Sequence, residues 1–265
     1  MSYPPGNPPA QPAGLAAPTA SGFDFEHEPS WRILRIMSEF VEGFTFLARI
    51  ERSVTFFGSA RLPESSPYYQ QARELGRRLA ALGHTVVTGG GPGIMQAGNQ
   101  GAAEASGYSV GLNIQLPTEQ RINRYVRQSM SFHYFFSRKV MLDFSAEAFV
   151  FFPGGFGTLD EFFELVTLTQ TGKMERGEPI ILIGREFWQP LVDWLESVLL
   201  NRLHTIAPQD LRIWTLTDDL DEAERIIEEH VQKQAEQRMA ATGRVAPSPD
   251  EKLKQATQPM TGREQ

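Results

Sequence analysis

The chain has 265 residues, of which 41% are hydrophobic and 22% charged, and this is enough to bury the core of one sizeable domain. Its net charge is −7 and its basic residues are scattered along the chain, so nucleic acid is not an expected partner. The absence of cysteine excludes disulfides and cysteine nucleophiles. The five histidines are too far apart for a metal site, so no metal is predicted.

No stretch is long and apolar enough to cross a bilayer, and no secretion signal is recognisable, so a cytoplasmic protein is expected. Residues 1–28 are rich in Pro, Gly, Ala and Ser, and residues 233–265 are polar without a sustained period, so both are predicted to be disordered tails. Residues 29–232 are predicted to form one domain. It begins with an amphipathic helix over residues 31–50, which would pack on the core or on a second subunit.

Short apolar runs of strand character alternate with stretches of helical periodicity through the rest of the domain. The predicted strands cover residues 54–57, 84–88, 108–112, 148–152, 179–183 and 213–216, and the predicted helices cover residues 68–82, 94–106, 135–145, 158–171, 188–201 and 221–232. The polar stretch after residue 112 is predicted to be irregular as far as about Ser131. Apolar strands that alternate with helices indicate a parallel sheet covered on both faces, which is a doubly wound α/β domain.

Two glycine-rich loops, at residues 89–93 and 154–157, each join a predicted strand to the next helix, and consecutive strands of the sheet are expected to carry them. The backbone N–H groups of such a loop and the positive end of the helix dipole favour an anion such as phosphate. One such loop could equally serve only the tight turn. Two of them favour a binding site at the carboxyl edge of the sheet.

The ligand of these loops is not predicted to be a dinucleotide or a nucleoside triphosphate. Gln96 stands where the third glycine of G-x-G-x-x-G is required, and the following strand ends at Asn113 rather than at a carboxylate. The G-x-x-x-x-G-K-[ST] sequence of triphosphatases is absent as well. A nucleoside monophosphate, bound through backbone N–H groups, remains.

Glu161 has two interpretations that its spacing leaves open. Thr158 and Glu161 match a capping box, in which the glutamate bonds back to the start of the helix, and the spacing alone favours this interpretation. A carboxylate on the first helical turn, beside two anion-binding loops, could also stabilise positive charge at an anomeric carbon or activate a water molecule.

Arg138 and Lys139 lie on the helix that is predicted before the central strand. They could be a solvated basic pair, but a guanidinium binds phosphate or ribose in a fork geometry that an ammonium lacks, so Arg138 is the better candidate. The surrounding aromatic residues are predicted to belong to the core or to an interface rather than to a base-stacking platform: Phe132, Tyr134, Phe135 and Phe136.

Residues 153–161 match the P-G-G-x-G-T-x-x-E signature of the Lonely Guy family, the cytokinin riboside 5′-monophosphate phosphoribohydrolases, some of which are labelled lysine decarboxylases. The resemblance covers roughly residues 54–229 and extends through residues 58–61, 89–95, 111–113 and 137–139. It implies a Rossmann-like fold, oligomers built from dimers, and hydrolysis of the N-glycosidic bond of adenosine 5′-monophosphate or its N6-modified form. It implies no metal or redox cofactor.

The resemblance places the catalytic arginine and glutamate of the family on Arg138 and Glu161. The positions that it implies for binding phosphate or ribose are Gly58, Ser59, Gly90, Gly91, Gly93, Met95, Gly154, Gly155, Gly157 and Thr158. Gln96 is a departure, because longer bacterial members usually carry glutamate there, and the ribose contacts and substrate choice are therefore open.

Three other functions stay open from the sequence. A carrier on the same fold, like the related molybdenum-cofactor carriers, would hold a phosphorylated ligand without cleaving it. A lysine decarboxylase would need a lysine for pyridoxal phosphate, and Lys139 and Lys173 are the candidates in the domain. A structural or assembly protein would use the helix over residues 31–50 as its interface.

Overall fold

The computed structural model describes residues 29–115, 122–174 and 177–242. Within these residues, seven strands form one sheet, in which every neighbouring pair is parallel. The strands are β1 (Ser53–Phe57), β2 (Thr85–Thr88), β3 (Tyr108–Ile114), β4 (Gln128–Phe132), β5 (Ala146–Phe151), β6 (Ile180–Ile183) and β7 (Trp214–Thr217). The helices are α1 (Pro29–Leu47), α2 (Pro67–Ala81), α3 (Ile94–Glu104), α4 (Phe135–Phe144), α5 (Phe156–Gln170), α6 (Arg185–Trp194) and α7 (Leu220–Thr242). A π-helical segment, Leu195–Arg202, continues α6, and a single 3₁₀ turn precedes β7.

Both faces of the sheet are covered by helices, which confirms the doubly wound, Rossmann-like α/β fold. Every residue of β1, β2 and β6 is buried, and successive side chains point to opposite faces of the sheet. Helices α2, α3 and α7 pack on the face that contains Phe56 and Val150. Helices α4, α5 and α6, with Leu47 at the end of α1, pack on the face that contains Phe151.

The strand order β4-β3-β2-β1-β5-β6-β7 places a reversal of direction between β1 and β5. The chain runs outwards from β1 to β4, then crosses back and continues with β5 on the other side of β1. Ligands of open α/β sheets bind at the carboxyl ends of the strands at such a point. The two glycine-rich loops follow β2 and β5, and β1 lies between them, so the expectation that consecutive strands carry them is wrong.

Strand β4 lies in the stretch that is predicted to be irregular, and this prediction is also wrong. The strand pairs with β3 from Gln128, opposite Val110, to Phe132, opposite Ile114. It is the edge strand of the sheet, and only its last residue is buried. Its sequence therefore lacks the apolar run that marks a buried strand.

Several helix boundaries differ from the predictions by a few residues, and two of the differences change an interpretation. Helix α5 begins at Phe156 with Gly155 as its N-cap, so Thr158 lies inside the helix and the capping-box interpretation is wrong. Helix α7 continues to Thr242, so the tail predicted from residue 233 begins with helix. The predicted tail over residues 1–28, and residues 243–265 of the other, lie outside the described residues. Of the described helices, none combines the length and the apolar character needed to cross a membrane.

Candidate active site

A cavity of about 620 Å³ lies at the carboxyl ends of β1 and β5, at the reversal of strand order. Its wall comes from the end of β1 and the loop after it, the first residue of the loop after β2, the first turn of α3, helix α4 and the first turn of α5. The lining residues are Phe56, Phe57, Gly58, Ser59, Ala60, Arg61, Gly89, Met95, Phe135, Arg138, Leu142, Gly155, Phe156, Gly157, Thr158, Leu159, Asp160 and Glu161. Of the twelve predicted site residues, this wall contains Gly58, Ser59, Met95, Arg138, Gly155, Gly157, Thr158 and Glu161.

The loop after β1 connects the two glycine-rich loops. The Ser59 N–H donates to the Pro153 carbonyl at 3.0 Å, and the Ser59 carbonyl accepts from the Ile94 N–H at 3.0 Å. A Cβ at Gly58 would approach the Ile94 side chain to 2.7 Å, so the close packing of the loop on α3 requires glycine. The positions of both glycine-rich loops are thus fixed relative to β1.

The N-terminus of α5 forms the anion-binding part of the wall. No side chain caps this helix, so the first N–H groups and the positive end of its dipole are available to a ligand. A Cβ at Gly155 or Gly157 would meet no atom within 4 Å, so the backbone faces open space there. Gly154 does not line the cavity, because its Cα packs against the Thr158 side chain.

The loop after β2 is held by polar side chains, and only Gly89 of its glycines reaches the cavity wall. The Gly90 N–H donates to Thr88 Oγ1 at 2.9 Å, and the Asn123 amide donates to the carbonyls of Gly90 and Gly91 at 3.1 and 3.0 Å. Gly93 has a φ of +67° and packs against the backbone of the loop after β1. The structure therefore does not bring Gly90, Gly91 and Gly93 to the cavity wall.

Arg138 on α4 and Glu161 on α5 form the charged centre of the wall. Nη2 of Arg138 lies 3.9 Å from Oε1 of Glu161, and the two side chains are only 17% and 6% exposed. Arg138 Nε and Glu161 Oε2 are buried and have no hydrogen-bond partner among the described residues. Both groups can therefore bond to a ligand in the cavity.

Burial shifts the protonation equilibria of this pair in opposite senses. Desolvation raises the pKa of Glu161 to about 7, although the positive charges of Lys139 and Arg138 oppose the shift. Desolvation lowers the pKa of Arg138, and the negative charge of Glu161 opposes that change. A carboxyl that titrates near neutral pH in a cavity is suited to accept and release a proton.

Lys139 is not available to a ligand, because its ammonium group lies 2.9 Å from Asp160 Oδ2 and 2.5 Å from Glu164 Oε2. Burial lowers its pKa, but the hydrogen bonds to the two carboxylates outweigh burial and raise the pKa above its usual value. Of the adjacent pair, only Arg138 lines the cavity, and its role as a ligand for phosphate or ribose stays a prediction.

The structure adds residues to the site that the sequence did not assign. Arg61 lines the cavity, is exposed, and pairs with no carboxylate of the described residues. Its position in the loop after β1, at the reversal of strand order, is the signal that could have identified it. Phe135 and Phe156 also line the cavity, and these residues are 57% and 92% exposed. Of the two alternatives predicted for these aromatic residues, Phe132 is in the core, whereas Phe135 is not, and for Phe135 the interface alternative stays a prediction.

Gln96 does not line the cavity. Its amide donates to Glu64 Oε1 at 3.0 Å and to the Tyr69 hydroxyl at 3.1 Å. The residue that departs from the family pattern thus belongs to a polar cluster beside α3. Among the described residues, no group of three or more His, Cys, Asp or Glu side chains is arranged to hold a metal ion.

Comparison with known proteins identifies relatives of this fold and site. A family model described as "Possible lysine decarboxylase" matches residues 95–227, about half of the chain. The cytokinin riboside 5′-monophosphate phosphoribohydrolase of Rhodococcoides fascians is 29% identical over 160 residues, which are 59% of this chain and 80% of that protein. The probable phosphoribohydrolase LOGL3 of Oryza sativa subsp. japonica is 26% identical over 187 residues, which are 69% of this chain and 86% of that protein.

Two solved structures share the fold. The X-ray structure of TM1055 is 29% identical, has a TM-score of 0.51, and is matched over 67% of this chain and 99% of that chain. The molybdenum cofactor carrier protein of Chlamydomonas reinhardtii is 22% identical, has a TM-score of 0.52, and is matched over 69% of this chain and 99% of that chain, a likeness of fold alone. Together with the P-G-G-x-G-T-x-x-E signature at the start of α5, these matches show that the chain belongs to the Lonely Guy family, whose family model carries the description "Possible lysine decarboxylase".

Proposed function

We propose that the protein hydrolyses the N-glycosidic bond of adenosine 5′-monophosphate or of N6-modified, cytokinin-type nucleoside 5′-monophosphates, giving the free base and ribose 5-phosphate. The observation that carries the proposal is the juxtaposition of Arg138 and Glu161, both buried and with unpartnered polar atoms, beside the uncapped N-terminus of α5. A carboxylate and an anion site on one wall suit a substrate with a glycosidic bond and a phosphate.

The ionised carboxylate of Glu161 stabilises the positive charge that develops on the ribosyl ring and accepts a proton from the attacking water. The water oxygen bonds to C1′, and the bond from C1′ to N9 breaks with its electron pair on the base. The proton taken from water ends on the base, so the carboxylate is regenerated. Because the pKa of Glu161 is about 7, both its ionised and its protonated forms are accessible during this cycle.

The phosphate is bound where positive potential and free N–H groups coincide. The first turn of α5, at Gly155 and Gly157, offers backbone donors, and Arg61 adds an unpaired guanidinium on the same cavity. Arg138 lies deeper, next to Glu161, and holds the ribose or an oxygen of the phosphate. Phe57, Phe135 and Leu142 provide apolar surface for the base.

The test is release of free base from adenosine 5′-monophosphate and from isopentenyladenosine 5′-monophosphate by the purified protein, followed by chromatography. Glu161→Gln is expected to lower kcat at least about 100-fold, because the amide can neither take a proton nor balance the cationic ring. Glu229→Gln, an exposed change on α7, is the matched control and should leave kcat unchanged. Base release that persists unchanged in Glu161→Gln would contradict the assigned role.

A carrier on this fold would give a different outcome in the same experiment. The likeness to a molybdenum cofactor carrier protein is one of fold alone, so it favours neither function. Nucleotide that binds and is recovered intact after prolonged incubation would favour a carrier. Timed release of base favours the hydrolase.

Lysine decarboxylation, which the description of the family model names, does not fit the three lysines in the part of the chain that the structure describes. A pyridoxal phosphate enzyme needs a lysine amine free to form a Schiff base in the site. Lys139 is held by two carboxylates, and Lys173 follows the far end of α5, roughly 20 Å from its N-terminus at 1.5 Å per residue. Lys233, on α7, belongs to the opposite face of the sheet. Pyridoxal phosphate is therefore not part of the proposed function.

The proposed assembly is a homodimer or a higher homo-oligomer, built on the exposed apolar surface of α1 and α4. The exposed large apolar side chains of these two helices are Trp31, Ile33, Leu34, Met37, Val41, Phe44, Phe135, Phe136, Val140 and Phe144. A contiguous apolar surface of this kind marks a protein interface. Phe135 also lines the cavity, so a partner on this surface would lie next to the site. The cytoplasmic location and the absence of a nucleic-acid partner stay predictions from composition.

A further inference from the structure

Glu39 is a buried carboxylate on a helix whose side chains are mostly exposed. It lies in the middle of α1 and is 8% exposed. Its Oε1 accepts a hydrogen bond from the His133 N–H at 2.7 Å, and its Oε2 accepts from the Tyr134 N–H at 3.4 Å and from the Ser137 hydroxyl. These donors satisfy the hydrogen-bonding capacity of the carboxylate inside the fold, which a buried polar group requires.

These three donors all belong to the start of α4. Tyr134 is the N-cap of that helix, His133 precedes it, and Ser137 lies in its first turn. The Tyr134 side chain makes no capping bond, so α4 lacks a cap from its own N-cap residue. Glu39 supplies the cap from a different helix, and its negative charge also favours the positive end of the α4 dipole. The start of α4 is thus anchored to α1.

The anchored turn carries Arg138. This residue follows Ser137 directly, and its N–H bonds to the Tyr134 carbonyl at 3.3 Å. Its guanidinium reaches the cavity with a separation of 3.9 Å from Glu161, and Nε is unpartnered, so protein hydrogen bonds do not fix its outer end. The direction of the first turn of α4 therefore decides where the guanidinium lies. A displacement of about 1 Å at a catalytic group can lower a rate on the order of 100-fold.

We propose that Glu39 is a positioning residue of the active site, which holds the first turn of α4 and through it the guanidinium of Arg138. The inference rests on the proposed hydrolase function. It extends the site to α1, which lies outside the residues 95–227 matched by the family model. The helix that carries the proposed assembly surface on one side thus orients the arginine of the site from its other side.

The experiment combines Glu39→Gln with Arg138→Gln and measures kcat and KM for adenosine 5′-monophosphate. In the wild-type background, Glu39→Gln is expected to lower kcat/KM about tenfold, because the amide keeps the shape but loses the charge-assisted bonds. In the Arg138→Gln background, the same change should have no further effect, since no guanidinium remains to be positioned. Glu42→Gln is the matched control: its carboxylate, one turn on, accepts an exposed hydrogen bond from the Ser38 hydroxyl and lies away from the start of α4.

If Glu39 only stabilised the fold, Glu39→Gln would have the same effect on kcat/KM whether or not Arg138 is present. If Glu39→Gln lowers kcat/KM by the same factor in both backgrounds, or not at all, the positioning role is wrong. Ser137→Ala removes one donor with a smaller change to the core, and serves if Glu39→Gln does not fold. Calorimetric binding of adenosine 5′-monophosphate to the same variants separates the two proposals. Wild-type protein that binds the nucleotide but releases no base overturns the hydrolase function, while an Arg138-dependent loss of affinity in Glu39→Gln still supports positioning.

Discussion

The guanidinium of Arg138 and the carboxylate of Glu161 lie 3.9 Å apart, beyond hydrogen-bond distance, on the wall of a cavity at the carboxyl edge of the sheet. Each group thus stabilises the charge of the other without consuming the bonding capacity that a ligand needs. Burial raises the pKa of Glu161 to about 7, and the nearby positive charges of Lys139 and Arg138 prevent a larger shift.

This relationship predicts the pH dependence of base release. In the proposed mechanism Glu161 acts as an ionised carboxylate, so kcat/KM should fall tenfold per pH unit below about pH 7. Arg138→Gln removes a charge that lowers the pKa of Glu161, so the carboxyl should titrate at a higher pH, as followed by NMR of its labelled carbon. Arg124→Gln, an exposed change beside Tyr125, is the control and should leave the pKa of Glu161 unchanged. An acid limb near pH 4.5 in the wild-type protein would contradict the assignment.

We expect that removal of the Asp143 charge, on α4, stabilises the folded protein at alkaline pH. Burial, then the negative charges of Glu161 and Glu164, raises its pKa from 3.8 to about 8. The folded state therefore binds a proton more tightly than the unfolded state, so the stabilising contribution of this group is complete below about pH 4 and lost as the pH rises through 8. Asp143→Asn should raise the free energy of unfolding on the order of 1–3 kcal/mol at pH 8.5, and less at pH 5.

Urea unfolding at the two pH values measures this difference for Asp143→Asn. Asp193→Asn, at an exposed position on α6, is the control and should change stability equally at both. A loss of stability at pH 8.5 would show that the buried charge is compensated.

The position of Arg61 predicts that the affinity for the nucleotide depends on its phosphate group. Its guanidinium lines the cavity with no carboxylate partner in the described part of the chain, so it is free to pair with a phosphate. Arg61→Gln should weaken binding of adenosine 5′-monophosphate about tenfold and leave that of adenosine unchanged. Calorimetry of both ligands measures the ratio, with Arg124→Gln as the charge-matched control. An equal loss for the two ligands would place Arg61 at the base or ribose instead.

The apolar surface of α1 and α4 predicts the assembly. Val41, on α1, is 65% exposed, and a charge at this position would be buried without a partner in an interface. Val41→Asp should shift the protein towards monomer in analytical ultracentrifugation at micromolar concentration. Leu82→Asp, at a residue 40% exposed beyond the end of α2 on the opposite face, is the control and should not change the sedimentation. A wild-type protein that sediments as a monomer would contradict the proposed interface.

The fold was predictable from the sequence where burial dominates. The strands with apolar runs, such as β5 and β6, and the helices between them follow from periodicity, because their side chains must leave water on both faces of the sheet. Strand β4 was not predictable in this way, since its pairing with β3 comes from backbone hydrogen bonds at an exposed edge. The start of α5 was mispredicted because a backbone-only N-cap at Gly155 leaves no side-chain signal.

Sequence reasoning named the two charged residues of the cavity wall but not the backbone groups that face the cavity. The family resemblance assigned roles to Arg138 and Glu161, which stay proposals, and the structure brings the two side chains to one wall. The sequence did not show which glycine N–H groups face the cavity. Within the loop after β2, the Gly90 N–H bonds to Thr88 Oγ1, and the carbonyls of Gly90 and Gly91 accept hydrogen bonds from Asn123. Glu39 could not be found from the sequence, since a glutamate on an amphipathic helix is usually solvated, and its partners lie about ninety residues away.

The central position of β1 has a consequence for synthesis of the chain on the ribosome. Its first partner, β2, follows closely, but its second partner is β5, with Thr55 opposite Phe149 and Phe57 opposite Phe151. At about 5–20 residues per second, the ribosome needs roughly 5–20 s to make the intervening segment. During that time the apolar strand Ser53–Phe57 is an unprotected sheet edge, which is the kind of surface that chaperones bind and that aggregates. The strand that brings the glycine-rich loops together in the finished protein thus has one unpaired edge until β5 has been made.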